Sequence, residues 1–179
     1  MKNILSTIIL ICLNSVAFSQ DAFWKDSNGK PVPNSESRSS VKDFGGWLLV
    51  TPDTDWRSKW ETPSDTMPKF NVASAVERGK QIVVLTFFSN PKLTKNGNAD
   101  VRCDIDVIRP NGSFSVHQSD VTCFQGPLKG NPHNLYLSAP IINFVGDPED
   151  PAGRWVVKVT LKDKIRNVAL PLKTSFILK

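Results

Sequence analysis

The chain has 179 residues, 40% hydrophobic and 22% charged, with 22 Lys and Arg against 17 Asp and Glu for a formal net charge of +5. That length suits one domain with its own core, and the apolar content excludes a wholly disordered chain. The basic residues are scattered along the sequence rather than clustered, which argues against a nucleic-acid binder and leaves room for weak attraction to an acidic envelope polymer or protein.

The first residues, MKNILSTIILICLNSVAFSQ, carry a basic start at Lys2, an apolar run from Ile4 to Leu13 and small residues at Ala17 and Ser19. That pattern predicts a secretory signal peptide over 1–19, cleaved near Ser19/Gln20, and a periplasmic or secreted protein. The run is short of the roughly 20 residues that cross a bilayer, and no later segment is apolar enough, so no membrane span is expected. Residues 20–43 are rich in Ser, Asn, Pro and charge and read as a flexible leader.

An ordered domain is expected over 44–179, opening with the Trp-rich segment 44–63, FGGWLLVTPDTDWRSKWETP. Trp47 precedes Leu48, Leu49 and Val50 and reads as a core residue packed in the first strand. Trp56 and Trp60 flank Arg57, Ser58 and Lys59, and at i and i+4 they share one face if the segment makes a helical turn. Two readings stay open: a satellite hydrophobic cluster capping an open end of the fold, or an aromatic and basic contact surface of Trp56, Arg57, Lys59 and Trp60 for a partner.

KQIVVLTFF, 80–88, is apolar on both alternating faces, as in a central strand covered on both sides. VRCDIDVIR, 101–109, alternates, with Val101, Cys103, Ile105 and Val107 facing inward. Asn111-Gly112 then predicts a two-residue hairpin turn with both residues at positive φ, which sets Asp106 opposite His117. Trp155, Val157, Val159 and Leu161, and after a turn Val168, Leu170, Leu172, Phe176 and Leu178, keep period two and predict a second, longer hairpin. Pro171 on its other face points to an edge or a bulge. NLYLSAPIINFV supplies one or two strands between the hairpins. The fold class expected is all-β, a single antiparallel sandwich of seven to nine strands.

Past the leader two cysteines remain, Cys103 and Cys123, and an even pair in an oxidising compartment reads as one disulfide. The hairpin register places Cys103 opposite Asp120, so the bridge requires a bulge within 117–121. Two cysteines with only His117 and His133 make no zinc site, and no metal or cofactor is expected.

Ser115, His117 and Asp106 superficially assemble a catalytic triad. At strand rise the Ser115 and His117 side chains stand about 6–7 Å apart, and a solvated Asp–His pair is the simpler reading. Asp147, Glu149 and Asp150 in GDPEDPAG lack calcium-loop spacing and read as an acidic, proline-stiffened turn.

Three pieces resemble bacterial immunoglobulin-like domains of the fibronectin III or macroglobulin type: the strand led by Gly79, the hairpin VIRPNGSF, and Gly153-Arg154-Trp155 opening the penultimate strand. The resemblance covers about residues 70–179 and implies a fold without an activity. The function expected is a non-enzymatic envelope module that binds another envelope or secreted protein, as an inhibitor, immunity protein or accessory subunit. Carbohydrate or cell-wall binding through exposed Trp is the alternative, and a hydrolase the second alternative.

Overall fold

The structure is a computed structural model that describes residues 23–26, 28–62 and 68–179. The expected signal peptide and residues 63–67 lie outside them. Among the described residues, twelve strands and one short helix follow in chain order: β1 (Trp24–Lys25), β2 (Pro31–Val32), β3 (Arg38–Val41), β4 (Phe44–Thr51), α1 (Trp56–Trp60), β5 (Ala75–Val76), β6 (Gln81–Ser89), β7 (Asn98–Ile108), β8 (Phe114–Pro127), β9 (Leu135–Leu137), β10 (Ile142–Val145), β11 (Gly153–Asp163) and β12 (Val168–Leu178). No helix among them is long and apolar enough to cross a membrane.

The architecture is a β-sandwich. A front sheet runs β10-β6-β4-β3, with β9 also on β6, and a back sheet runs β5-β12-β11-β7-β8. Twelve strands exceed the seven to nine expected because β1, β2, β5 and β9 are only two or three residues long, held by neighbours rather than by any period of their own. One pair, β5 with β12, is parallel, so the sandwich is not wholly antiparallel. It meets β12 only at Ile177 and Leu178, which leaves Pro171 where β12 has no second strand beside it, and a missing N–H there interrupts no ladder.

Strand alternation places the core. Phe44, Leu48 and Val50 of β4 and Ile82, Val84 and Phe88 of β6 meet the inward residues of β7, β11 and β12, with Trp155 and Phe176 stacked at 6.3 Å between ring centres. Each such buried side chain contributes about 1.5–3 kcal/mol. The other face of β6, with Val83, Leu85 and Phe87, is buried too, as expected for a strand covered on both sides.

Two hairpin details differ from expectation. The β7–β8 loop has Gly112 alone at positive φ, +85°, and closes through Arg109 N–H to Ser113 O at 2.8 Å, a three-residue connection. A bulge between Val107 and Ile108 then restores the Asp106–His117 pairing. The two-residue turn with both φ positive lies instead at Lys42-Asp43, φ +45° and +61°, between β3 and β4.

The irregularity expected in 117–121 is present: Asp120 takes φ +53° and donates its N–H to Asp104 Oδ1 at 2.9 Å, moving the partner of Cys103 to Val121. Cys103 and Cys123 are joined, with Cα atoms 5.8 Å apart, tying β8 to β7.

The described part of 20–43 is ordered, which corrects the flexible-leader reading. β1 and β2 pair, and β3 extends the front sheet along β4. Phe23 lies against Gly45, where a Cβ would meet the ring at 2.1 Å. Lys173 pairs with Glu36 at 2.9 Å, and Leu48 N–H reaches Ser37 O at 2.7 Å. A polar average hides Phe23 and Trp24, the two aromatic anchors that secure the segment.

Candidate site on the outer face of the front sheet

Gly45, Trp47, Leu49 and Thr51 of β4 and Val83, Leu85 and Phe87 of β6 point away from the sandwich core. An apolar face on both sides of a sheet requires a second cover, and the Trp-rich segment supplies it. After Thr51 the chain turns at Pro52, Trp56 N–H bonds Asp53 O at 3.3 Å, and α1 begins. The i, i+4 spacing then brings Trp56 and Trp60 to the sheet. Trp56 is 9% exposed, within a cluster of Leu49, Val83, Leu85 and Phe87. Trp60, Trp47 and Phe70 surround Phe87 with ring centres at 5.2, 5.4 and 6.3 Å.

A five-residue helix cannot hold itself in water, and Asp55 at its N-cap position makes no side-chain cap bond. Its anchor is Asp53, 7% exposed. Oδ2 accepts Lys59 Nζ at 2.8 Å and Asn71 N–H at 2.9 Å, and Oδ1 accepts Asn71 Nδ2 at 2.7 Å. Burial alone pushes the Asp53 carboxyl up; hydrogen bonds from Lys59, Asn71 and Thr51 outweigh it and hold the carboxyl at about 2. The same bond from Asp53 is the main reason the Lys59 ammonium is pushed up, with Asp55 Oδ1 at 3.2 Å adding to it.

The four side chains singled out in the sequence therefore divide. Trp56 and Lys59 are committed inward, Trp60 is half-buried, and Arg57 alone is exposed, its guanidinium carbon 4.9 Å from the centre of the Trp56 ring. Against them lies the 137–141 stretch, where Ser138 N–H bonds Thr86 O at 2.9 Å and Ala139 N–H bonds Cys123 O at 2.8 Å. The result is an open groove of about 250 Å³, with Trp56, Arg57, Trp60 and Glu61 on one wall and Leu137, Ser138, Ala139 and Ile141 on the other. Pattern alone could not bring the second wall to α1, since 77 residues separate Trp60 from Leu137.

The other constellations are occupied structurally. His117 Nδ1 and Asp106 Oδ1 meet at 2.7 Å on the outer face of the back sheet, an exposed pair with Ser115 in solvent beside it. In the acidic turn, Arg78 Nη1 donates to the carbonyls of Asp147 and Asp150, both at 2.7 Å, so a guanidinium sits where those oxygens converge. Among the described residues no three His, Cys, Asp or Glu side chains gather as metal ligands.

No family model matches the chain, and no curated protein matches it by sequence. Among solved structures it is similar to a FixG-related protein from Vibrio parahaemolyticus, with 11% identity, a TM-score of 0.39, and 78% of this chain and 99% of that one covered. A Niemann-Pick type C2 protein from the Japanese carpenter ant gives 11% identity and a TM-score of 0.35, covering 79% of this chain and 91% of that one. A family 123 glycoside hydrolase from Clostridium perfringens gives 11% and 0.39, over 75% of this chain and 27% of the other. Likeness at this level assigns neither family nor activity.

Proposed function

We propose that the protein is an exported, non-enzymatic binding module on an immunoglobulin-like scaffold, and that the groove beside α1 receives another envelope or secreted protein. The observation that carries this reading is the wall of α1: an exposed Arg57 seated on a buried indole, beside half-buried Trp60. Trp and Arg dominate the energetics of protein contacts, and an arginine already held on a ring loses little conformational freedom when it binds. The role of inhibitor, immunity protein or accessory subunit fits such a surface equally.

Carbohydrate stacking needs indole faces open to solvent, whereas Trp56 is buried and Trp60 packs on Phe87. That makes sugar the weaker ligand class for this groove.

The test is crosslinked capture from the native envelope with the wild-type protein, an Arg57→Ala variant and an Arg154→Ala control on the back sheet. One stoichiometric protein captured by wild type and control, and lost with Arg57→Ala, supports the reading. Equal capture by all three, or retention of wild type by wall polysaccharide alone, refutes it.

A further inference from the structure

The lysines that look scattered in sequence are gathered by the fold. The long strands alternate in direction, so four connections, 42–43, 90–97, 128–134 and 164–167, emerge at the same end of the sandwich. Cross-bonds tie them together. Asn90 Nδ2 donates to Asp43 O and Asn90 N–H to Pro132 O, both at 2.7 Å, and Arg166 Nη2 donates to Asn90 O at 2.8 Å. Lys92 N–H bonds Asp163 Oδ2 at 2.7 Å, and Arg166 also reaches Lys42 O.

From this stitched platform project Lys42, Lys92, Lys95, Lys129 and Lys164, all exposed. Among the described residues none of the five ammonium groups has a carboxylate within ion-pair distance. Of the acids nearest them, Asp163 is buried against Arg166, Asp100 is held by Arg102 at 3.0 Å, and Asp43 is exposed. The acidic turn of Asp147, Glu149 and Asp150 lies at the far end, one strand length away, about 35 Å, or several screening lengths.

We infer that this end is a docking face for an anionic lipid surface. Every exposed cation on it is a lysine, a flexible point charge suited to a diffuse array of headgroups rather than the fork geometry that reads individual phosphates or carboxylates. Among the described residues none of the large exposed apolar side chains, Val72, Phe114 and Val145, lies at this end, and exposed His133 offers a single ring, so a run of nucleic-acid bases has little to stack on. The five lysines stand on four separate connections, so they present breadth, and the groove beside α1 opens on a different face. A molecule docked this way stands with its strands across the membrane plane and its groove free.

Co-sedimentation tests this with vesicles of phosphatidylcholine alone and of phosphatidylcholine and phosphatidylglycerol in equal parts. Wild type should partition onto the anionic vesicles only, and release as salt is raised. Replacing three lysines, Lys92→Gln, Lys95→Gln and Lys164→Gln, should lower partitioning about a hundredfold, roughly fivefold for each. The pair Lys80→Gln and Lys179→Gln, away from this end, should change little, with thermal melts confirming that each variant folds. No preference for anionic vesicles, an equal loss in the control pair, or binding to polyglutamate or nucleic acid without binding to vesicles would overturn the inference.

Discussion

Asp53 is the joint on which the candidate site depends, and removing its charge has a calculable effect. Its carboxyl falls from an ordinary 3.8 to about 2 in the folded protein. At about 1.4 kcal/mol per decade, that difference stabilises the fold by about 2 kcal/mol. A depressed carboxyl contributes stability that is fully present above its unfolded value and is lost as pH falls through the folded one, so the window runs from about pH 4 down to about pH 2. Asp53→Asn keeps the size and loses the charge that holds Lys59. Denaturant titrations should find the variant less stable by about 2 kcal/mol near neutrality, with the gap closing as pH falls through that window. Because Trp56 and Trp60 ride on the anchored helix, the variant's indole fluorescence should also shift toward the solvated range. A stability gap that stays the same from neutrality to about pH 2 would refute the assignment of Asp53 as the charged anchor of α1.

Three further outcomes follow from the packing. Trp56→Ala empties the centre of the outer cluster and should cost about 3–5 kcal/mol in a denaturant titration; a loss under about 1 kcal/mol would mean the indole is not packed as described. Replacing Cys103 and Cys123 together with Ala, or reducing the wild type under denaturing conditions, should cost about 3 kcal/mol, because the bridge closes a loop with a sequence separation of 20. Gly45→Ala places a Cβ 2.1 Å from the Phe23 ring and should displace the β1–β2 hairpin, read as faster proteolysis N-terminal to Ser35; unchanged cleavage would contradict the contact.

The sandwich was legible wherever side-chain period carries the information. The two-sided run at 81–89, the alternation of Val101 to Val107 and the hairpin of Trp155 to Leu178 need only the strand repeat and burial to be recognised. The disulfide followed from an even pair of cysteines and the inward phase of Cys103, and the bulge it requires is where the ladder shifts. The helical turn of Trp56 and Trp60 was readable from i, i+4 spacing and their packing in a satellite cluster was one of the two readings, but the sheet face they cover, the opposing wall and Asn71 were not, because these come from distant parts of the chain. The leader misled for a different reason: two aromatic residues among many polar ones carry its packing, and composition averages them away. The lysine-rich end was invisible in sequence, since only the alternating strand directions bring residues 42, 92, 95, 129 and 164 together.

The proposed function stands most directly on whether the groove beside α1 is where another protein sits. A photocrosslinking side chain placed at Glu61, on the groove wall, and separately at Lys158, on the outer face of the back sheet, would be activated in the native envelope. The proposed function predicts a discrete protein adduct from position 61 that Arg57→Ala abolishes, and none from position 158. Adducts of equal yield from both positions, or none from position 61, would contradict it.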